Sequence, residues 1–359
     1  MLINIARIPI KKIIFIGLLP FFIKRVIYWL KGYDLGKKVT IGIGSVIIGK
    51  NVTIGPHTKI GYFTIIRGNN IKIGSHVSIR STTFLDTPDL EIGDNTTINE
   101  QVFIGGIELP ESKLKVGKNC TIMQLTYINC ANPVVIGDDT GIGGHCLIFT
   151  HSSWLSQFEG YPVKFGSIQI GNSVWLPWRV FVMPGAKIGD GSVIAANSLV
   201  AGEIPSKCLA AGSPAKIIRK APDFPKHLSE GEKRNLLKDI LTEMIRYLEF
   251  YGILSTQNSN VYEFKESRSH WFFPKRKIWR MSVFFDNGLR DGGKSTGDRL
   301  DVCLSLKAIP ENVRQGLRSK NCMWIDIEGK QRSDFGNDLG EEVARFLKRY
   351  GVRLSYIND

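Results

Sequence analysis

From Val39 to Val200 an aliphatic residue returns at every sixth position, with occasional slips. One phase holds Ile48, Ile54, Ile60 and Ile66, and a one-residue slip leads to Ile73, Ile79 and Leu85. A second slip leads to Ile92, Ile98 and Ile104, and Val116, Ile122 and Ile128 resume after a polar loop around Pro110–Lys113. Ile136, Ile142 and Ile148 follow, then Ile170, Leu176, Val182, Ile188, Ile194 and Val200. A period of six matches neither an α-helix nor a half-buried strand. It predicts a coil with three short flat sides stacked on itself, the pattern of a parallel β-helix. Gly follows the aliphatic residue at Gly49, Gly55, Gly61, Gly74, Gly93, Gly117, Gly137, Gly143, Gly171 and Gly189, among others. The aliphatic side chain is expected to fill the coil interior and the Gly to take a strained corner. The longest break in the period, Ile148 to Ile170, holds His151. A reactive side chain on a loop expelled from a rigid solenoid is a candidate for chemistry.

The flanks follow other patterns. Residues 1–36 form a distinct segment whose apolar run, Ile13 to Ile23, is too short to span a bilayer and contains Pro20. Lys11, Lys12, Lys24, Arg25 and Lys31 surround it, and no small-residue cleavage site is present, so it is expected to be retained. Two readings stay open: a peripheral helix at an anionic membrane surface, or a cap on the solenoid. The solenoid is expected over 37–219. Over 220–359, Pro222 and Pro225 mark a linker, and Leu236, Ile240, Met244 and Leu248 predict a helix from Glu230 to Tyr251. Strands are predicted over Trp271–Phe285, Leu300–Leu306, Cys322–Ile327 and Val352–Tyr356, and a helix over Leu339–Tyr350. The result is a small α/β domain, for oligomerisation or acceptor binding.

The chain has 359 residues, 43% of them hydrophobic, a net charge of +14 and a pI near 9.5. That charge points to an anionic partner: nucleic acid, a membrane surface or a phosphorylated ligand. The basic residues form no long run and no aromatic residues interleave with them, so nucleic acid is not expected. The six cysteines form no CxxC pair. They read as buried reduced thiols, which suggests a reducing compartment.

The closing stretch, VWLPWRVFVMPGAKIGDGSVIAANSLV followed by AAGSPAKIIR, resembles the hexapeptide-repeat acyltransferases. The likeness is to the branch with maltose, galactoside, Nod-factor and polysaccharide O-acetyltransferases. It covers about 39–219 and implies a left-handed parallel β-helix, so the fold class is mainly β with an N-terminal apolar helix and a C-terminal α/β domain. It further implies a homotrimer with sites between neighbouring solenoids, and acetyl-CoA as donor with no permanently bound cofactor. In that likeness His151, in FTHSSW, matches the catalytic histidine. Trp175, Trp178 and Ala196 line the donor groove, and Lys216 and Arg219 reach its nucleotide end. Packing between solenoids is the other account of the two tryptophans. Trp178 replaces a small residue, Ala201-Gly202 stand where Thr-Lys is common, and Met123 falls where an asparagine is usual. Gln124 and Asn129 are the candidates to replace that asparagine.

Transfer of an acetyl group to an alcohol needs a base, and imidazole suits it because its charge changes near neutral pH. Backbone N–H groups can stabilise the tetrahedral oxyanion. His145, six residues before His151, would lie one coil earlier on a similar side if the period continued, which raises a zinc alternative, but no third histidine stands near the pair, so no metal is expected and His145 reads as a surface or corner residue of the solenoid. Glu159 reads as a solvated loop acid, with orientation of the imidazole as the other account. The expected function is acetyl-CoA-dependent O-acetylation of a carbohydrate hydroxyl in surface polysaccharide or O-antigen assembly. The acceptor could be lipid-linked, and the expected location is the cytoplasm, at the inner face of the membrane where the N-terminal helix binds it. The alternatives are N-acylation of an amino sugar, or an inactive scaffold.

Overall fold

The computed structural model describes residues 9–266, 277–286 and 300–357. Internal contacts divide the chain into two units, Met1–His227 and Leu228–Asp359.

The first unit is a left-handed parallel β-helix with three flat faces. Its first face runs from Asp34–Leu35 to Glu203–Ile204 and stacks Leu35, Ile54, Ile73, Ile92, Val116, Ile136, Ile170 and Ile188 in one inward column. The second face closes with the antiparallel strand Ala215–Arg219. The third runs from Val46–Ile48 to Leu199–Val200, with Ile66, Leu85, Ile104, Ile128, Ile148 and Val182 inward. These columns form one continuous buried core. Truncating one such residue to Ala typically costs about 2–5 kcal/mol.

The slips in the period have a simple origin. A coil such as Ile54 to Ile73 takes nineteen residues, and the added residue sits at the corner after the third face, where the Asn69 N–H donates to Pro88 O at 2.7 Å. Two longer excursions leave at this corner, 106–112 after Phe103–Gly105 and 150–167 after Leu147–Phe149. Pairing resumes in register past both, Ile92 against Val116 and Ile136 against Ile170.

The glycines play a different role from the one expected. Gly55 and Gly137 are not at positive φ; the left-handed residues stand two positions later, at His57 (φ 61°) and Asp139 (φ 56°). A Cβ on Gly137 would lie 2.6 Å from the carbonyl carbon of Gly171, and one on Gly55 would lie 2.6 Å from that of Gly74. The next coil therefore excludes a side chain there. Buried threonines tie the coils together: Thr58 Oγ1 donates to Gly74 O at 2.7 Å and Thr126 Oγ1 to Gly143 O at 2.8 Å.

Two short helical segments, Ile10–Gly17 and Phe21–Leu30, precede the solenoid and are bent by 115°. Pro20 keeps an extended ψ of 150° and starts the second, and Gly32, at φ 75°, follows its end. One side docks on the solenoid. Tyr28 is fully buried, and its hydroxyl accepts the Ile47 N–H at 3.0 Å. Lys24, also fully buried, donates to Gly42 O at 2.7 Å and Ser45 O at 3.2 Å. The other side leaves Phe15, Phe22, Trp29 and Leu30 exposed, each at more than 70%. Capping accounts for one side only. Among the described residues, no single helix is long and apolar enough to cross a membrane.

The second unit is a small α/β domain. Its seven-stranded mixed sheet runs in the order Ile253–Asn258, Val261–Glu266, Ile278–Phe284, Val302–Ser305, Met323–Asp326, Gln331–Ser333, Ser355–Ile357. The helix Glu230–Phe250 begins with a capping box between Ser229 and Glu232 and buries Leu237, Ile240, Met244 and Leu248. The expected strand at Trp271–Phe285 is observed as Ile278–Phe284, and residues 271–276 lie outside the described set. The hairpin Ile253–Glu266 and the helix Glu311–Ser319 were not expected from the sequence.

Candidate active site

His151 opens the excursion at the corner after the third face. It pairs with Phe165 across a two-residue antiparallel ribbon, His151–Ser152 against Lys164–Phe165. The rings of His151 and Phe165 stack at 5.9 Å, and Phe149 lies 6.2 Å away on the other side. The imidazole is part-buried.

Asn129 lies one coil earlier, opposite Phe149 on the neighbouring strand. It is 2% exposed, and its Oδ1 is 3.0 Å from His151 Nδ1. The Ala131 N–H donates to the same oxygen at 3.2 Å, which fixes the orientation of the amide. Thr150 Oγ1 lies 3.3 Å from that oxygen and 3.1 Å from the Asn129 carbonyl. A carbonyl oxygen only accepts, so Nδ1 of the neutral ring carries the proton and the lone pair is on Nε2. This tautomer is the one needed to take a proton from an alcohol.

Two sequence expectations change here, the counterpart of the usual asparagine and the coil offset of His145. Met123 is not the counterpart of the usual asparagine: it follows the second-face strand Thr121–Ile122, and its sulfur accepts from Asn99 Nδ2 at 3.3 Å. Gln124 is also remote, its carbonyl accepting the His145 N–H at 3.2 Å. Asn129 meets the ring instead. Glu159 is exposed in a short 3-10 turn, and Asn129 holds the imidazole position proposed for it. His145 is not a coil earlier on the same side. It is the exposed left-handed residue (φ 56°) at the opposite end of the strand that leads to His151, because six residues span one face.

The donor-groove candidates fall into two groups. Trp178 and Ala196 share the corner between the second and third faces, one coil apart, both exposed. The Trp178 ring lies over Gly144, where a Cβ would meet it at 2.6 Å, and 5.7 Å from the ring of His145. Trp175, 38% exposed, stands on the second face in line with Val193, Leu209 and Arg219 on successive strands. Lys216 is exposed opposite Ala211. Trp178 and His151 thus stand at the two corners of the third face, with Phe181 and Phe149 between them, rings 5.8 Å apart.

Cys130, next to Asn129, is buried, and burial pushes its thiol up to about 12. All six cysteines are free and buried, and none sits exposed as a nucleophile.

No family model matches the chain. A putative acetyltransferase of Schizosaccharomyces pombe is 38% identical over 103 residues, 28% of this chain and 47% of the relative. A putative lipopolysaccharide biosynthesis O-acetyl transferase of Escherichia coli K12 is 37% identical over 113 residues, 28% of this chain and 58% of the relative. The galactoside O-acetyltransferase of Escherichia coli K12 is 36% identical over 128 residues, 33% of this chain and 62% of the relative. The chain thus spans about half the length of the curated relatives it matches. Among solved structures, a polysialic-acid-specific acetyltransferase aligns over 59% of this chain and 97% of its own, at 19% identity and a TM-score of 0.33. In sequence the chain is similar to proteins named O-acetyltransferases over part of their length, and its solenoid is a left-handed parallel β-helix.

Proposed function

We propose that the protein transfers the acetyl group of acetyl-CoA to a hydroxyl of a carbohydrate in surface polysaccharide or O-antigen assembly. The observation that carries this reading is the hydrogen bond between Asn129 Oδ1 and His151 Nδ1, at the mouth of a loop on the left-handed β-helix. Nε2 of His151 takes the proton of the acceptor hydroxyl as its oxygen attacks the thioester carbon. The tetrahedral oxyanion collapses, the carbon–sulfur bond breaks, and the departing thiolate takes the proton from the imidazolium. Asn129 holds the tautomer throughout and supports the charged ring. Trp178 and Ala196 hold the pantetheine arm at the corner of the third face, Trp175 flanks it, and Lys216 and Arg219 meet the nucleotide phosphates. In this reading the working form is a homotrimer, with each donor groove completed by a neighbouring solenoid.

The protein acts at the inner face of the cell membrane, where a lipid-linked acceptor is held. Phe15, Phe22 and Trp29 enter the headgroup region, with Lys11, Lys12 and Lys31 beside them to meet anionic lipid. The test is transfer of labelled acetyl from acetyl-CoA to a panel of saccharides. His151→Ala should lose roughly 10²–10⁴-fold in rate while keeping CoA binding by calorimetry. Undiminished turnover in that variant rules out His151 as the base.

A further inference from the structure

The outer surface of the third face carries a feature that a single-sugar acceptor leaves unused. Phe84, Phe103 and Tyr127 stand in register on three successive strands, and the ring of Phe149, two residues beyond the in-register Leu147 on the next strand, reaches Tyr127 diagonally to complete a ladder of rings. Phe84 and Phe103 stack at 4.9 Å, and Phe103–Tyr127 and Tyr127–Phe149 meet edge to face, also at 4.9 Å. The ladder ends beside His151. Every ring keeps some solvent exposure, and Phe103 keeps 42%. A second row runs alongside it. Arg67 and Asp86 pair across neighbouring strands, with Nε to Oδ1 at 2.6 Å, and their row continues through the buried Gly105 and Asn129 to Phe149 itself. A Cβ on Gly105 would lie 3.3 Å from the Phe103 ring, and one on Gly106 would strike the Asn129 amide at 2.2 Å. Both excursions, 106–112 and 150–167, rise from the corner bordering this row.

We propose that this face is the acceptor platform, and that its occupant is a saccharide chain several sugars long, lying along the ring ladder with its reacting hydroxyl at His151. The proposal rests on the acetyl-transfer reading for the direction of the chain. Aromatic rings offer flat apolar faces to the C–H side of a pyranose. The partly exposed Arg67–Asp86 pair beside the first ring offers partners to its hydroxyls. A protein partner would be met by an apolar patch with a polar rim, whereas here the rings run in single file toward His151, with the Arg67–Asp86 pair beside the first of them. The face has an entry end as well. The helical segment Ile13–Gly17 packs on its first strand, Val46–Ile48, with Gly17 close to Val46. Val46 and Ile65, which hold the ring positions on the first two strands, are buried, so the exposed ladder runs from Phe84 to Phe149, three strand spacings or about 14 Å. That is more than one sugar ring needs, and it suits a chain delivered from the side where the apolar helices lie.

The test uses the full chain with His151→Ala, so that acceptor is bound and not turned over, on a glycan array graded from single sugars to long oligosaccharides. Retention should rise with length, and adding Phe103→Ala should lower retention of the long members by about tenfold without changing that of single sugars. Phe103→Tyr, which keeps the ring, should retain them. Length-independent retention, or none at all, overturns the platform. A Phe103→Ala chain that changes its sedimentation mass but not its retention also overturns it, because the rings would then pack between copies. Acetylation of the same array by the wild-type chain is scored separately. Length-dependent retention without acetylation sinks the acetyl-transfer reading and leaves the platform standing.

Discussion

Asn129 Oδ1 stands 3.0 Å from Nδ1 of His151, although the two residues are on neighbouring coils and 22 positions apart in sequence. The oxygen fixes which nitrogen of the imidazole is free. Asn129→Ala should lower kcat by roughly 10–100-fold with little change in the KM for acetyl-CoA, since it acts through the base. Asn129→Asp should leave more activity but change its pH dependence. A carboxylate beside the ring favours imidazolium and raises its pKa. The neutral base then appears only at higher pH, so the acidic limb of the kcat/KM profile should move upward. An unmoved limb contradicts the pairing.

Trp178 covers Gly144 at the corner facing the proposed donor groove. Trp178→Ala should raise the KM for acetyl-CoA several-fold while kcat changes less, as expected for loss of uniform binding. If sedimentation shows the trimer dissociating while the KM is unchanged, Trp178 serves packing between solenoids.

Gly137 lies against the next coil, whereas Gly202 has no heavy atom within 4 Å of an added Cβ. Gly137→Ala should therefore cost about 1–3 kcal/mol by urea unfolding, and Gly202→Ala should be close to neutral. Equal effects would refute the close-approach account of the repeat glycine.

Replacing Phe15, Phe22 and Trp29 together with Ser should abolish pelleting with vesicles that contain phosphatidylserine. The fold should be unchanged by circular dichroism, because these side chains are exposed while Tyr28 and Lys24 make the attachment to the solenoid. Binding that persists, or that is equal on neutral vesicles, counts against the membrane face.

Burial raises the thiols of Cys146 to about 11 and of Cys130 and Cys322 to about 12, above the value of 9 for an exposed thiol. The unfolded chain loses these protons first. Their contribution is therefore complete below pH 9 and is lost as pH rises through 11 to 12. Lys24 acts in the opposite sense. Desolvation lowers it to about 8, so its cost is complete below pH 8 and fades as pH approaches 10.5. The urea midpoint of a Cys146→Ala chain should fall less steeply between pH 9 and 11 than that of the wild type. Parallel curves would contradict this.

The solenoid was legible because each coil repeats the same demand, one inward aliphatic residue per side, and the first face alone stacks nine strands. The role of the glycines was not, because their constraint comes from the next coil and not from their own φ. His151 was legible from its place at the break in the period. Asn129 was only one of two substitutes considered, because counting back in fixed steps led to Met123, while the length of each coil varies with its corner excursions. The hairpin Ile253–Glu266 was missed because its exposed outer strand, with only Ile253 and Ser255 even partly covered, carries little alternation to read.

The strands pair in register on both sides of excursions 106–112 and 150–167. The stack therefore behaves like a ruler whose marks stay put whatever is hung from its edge. Grafting a foreign segment at either corner should change which molecules are admitted without retuning the scaffold beneath, so selectivity in this protein is modular and can be exchanged by cutting at two known places.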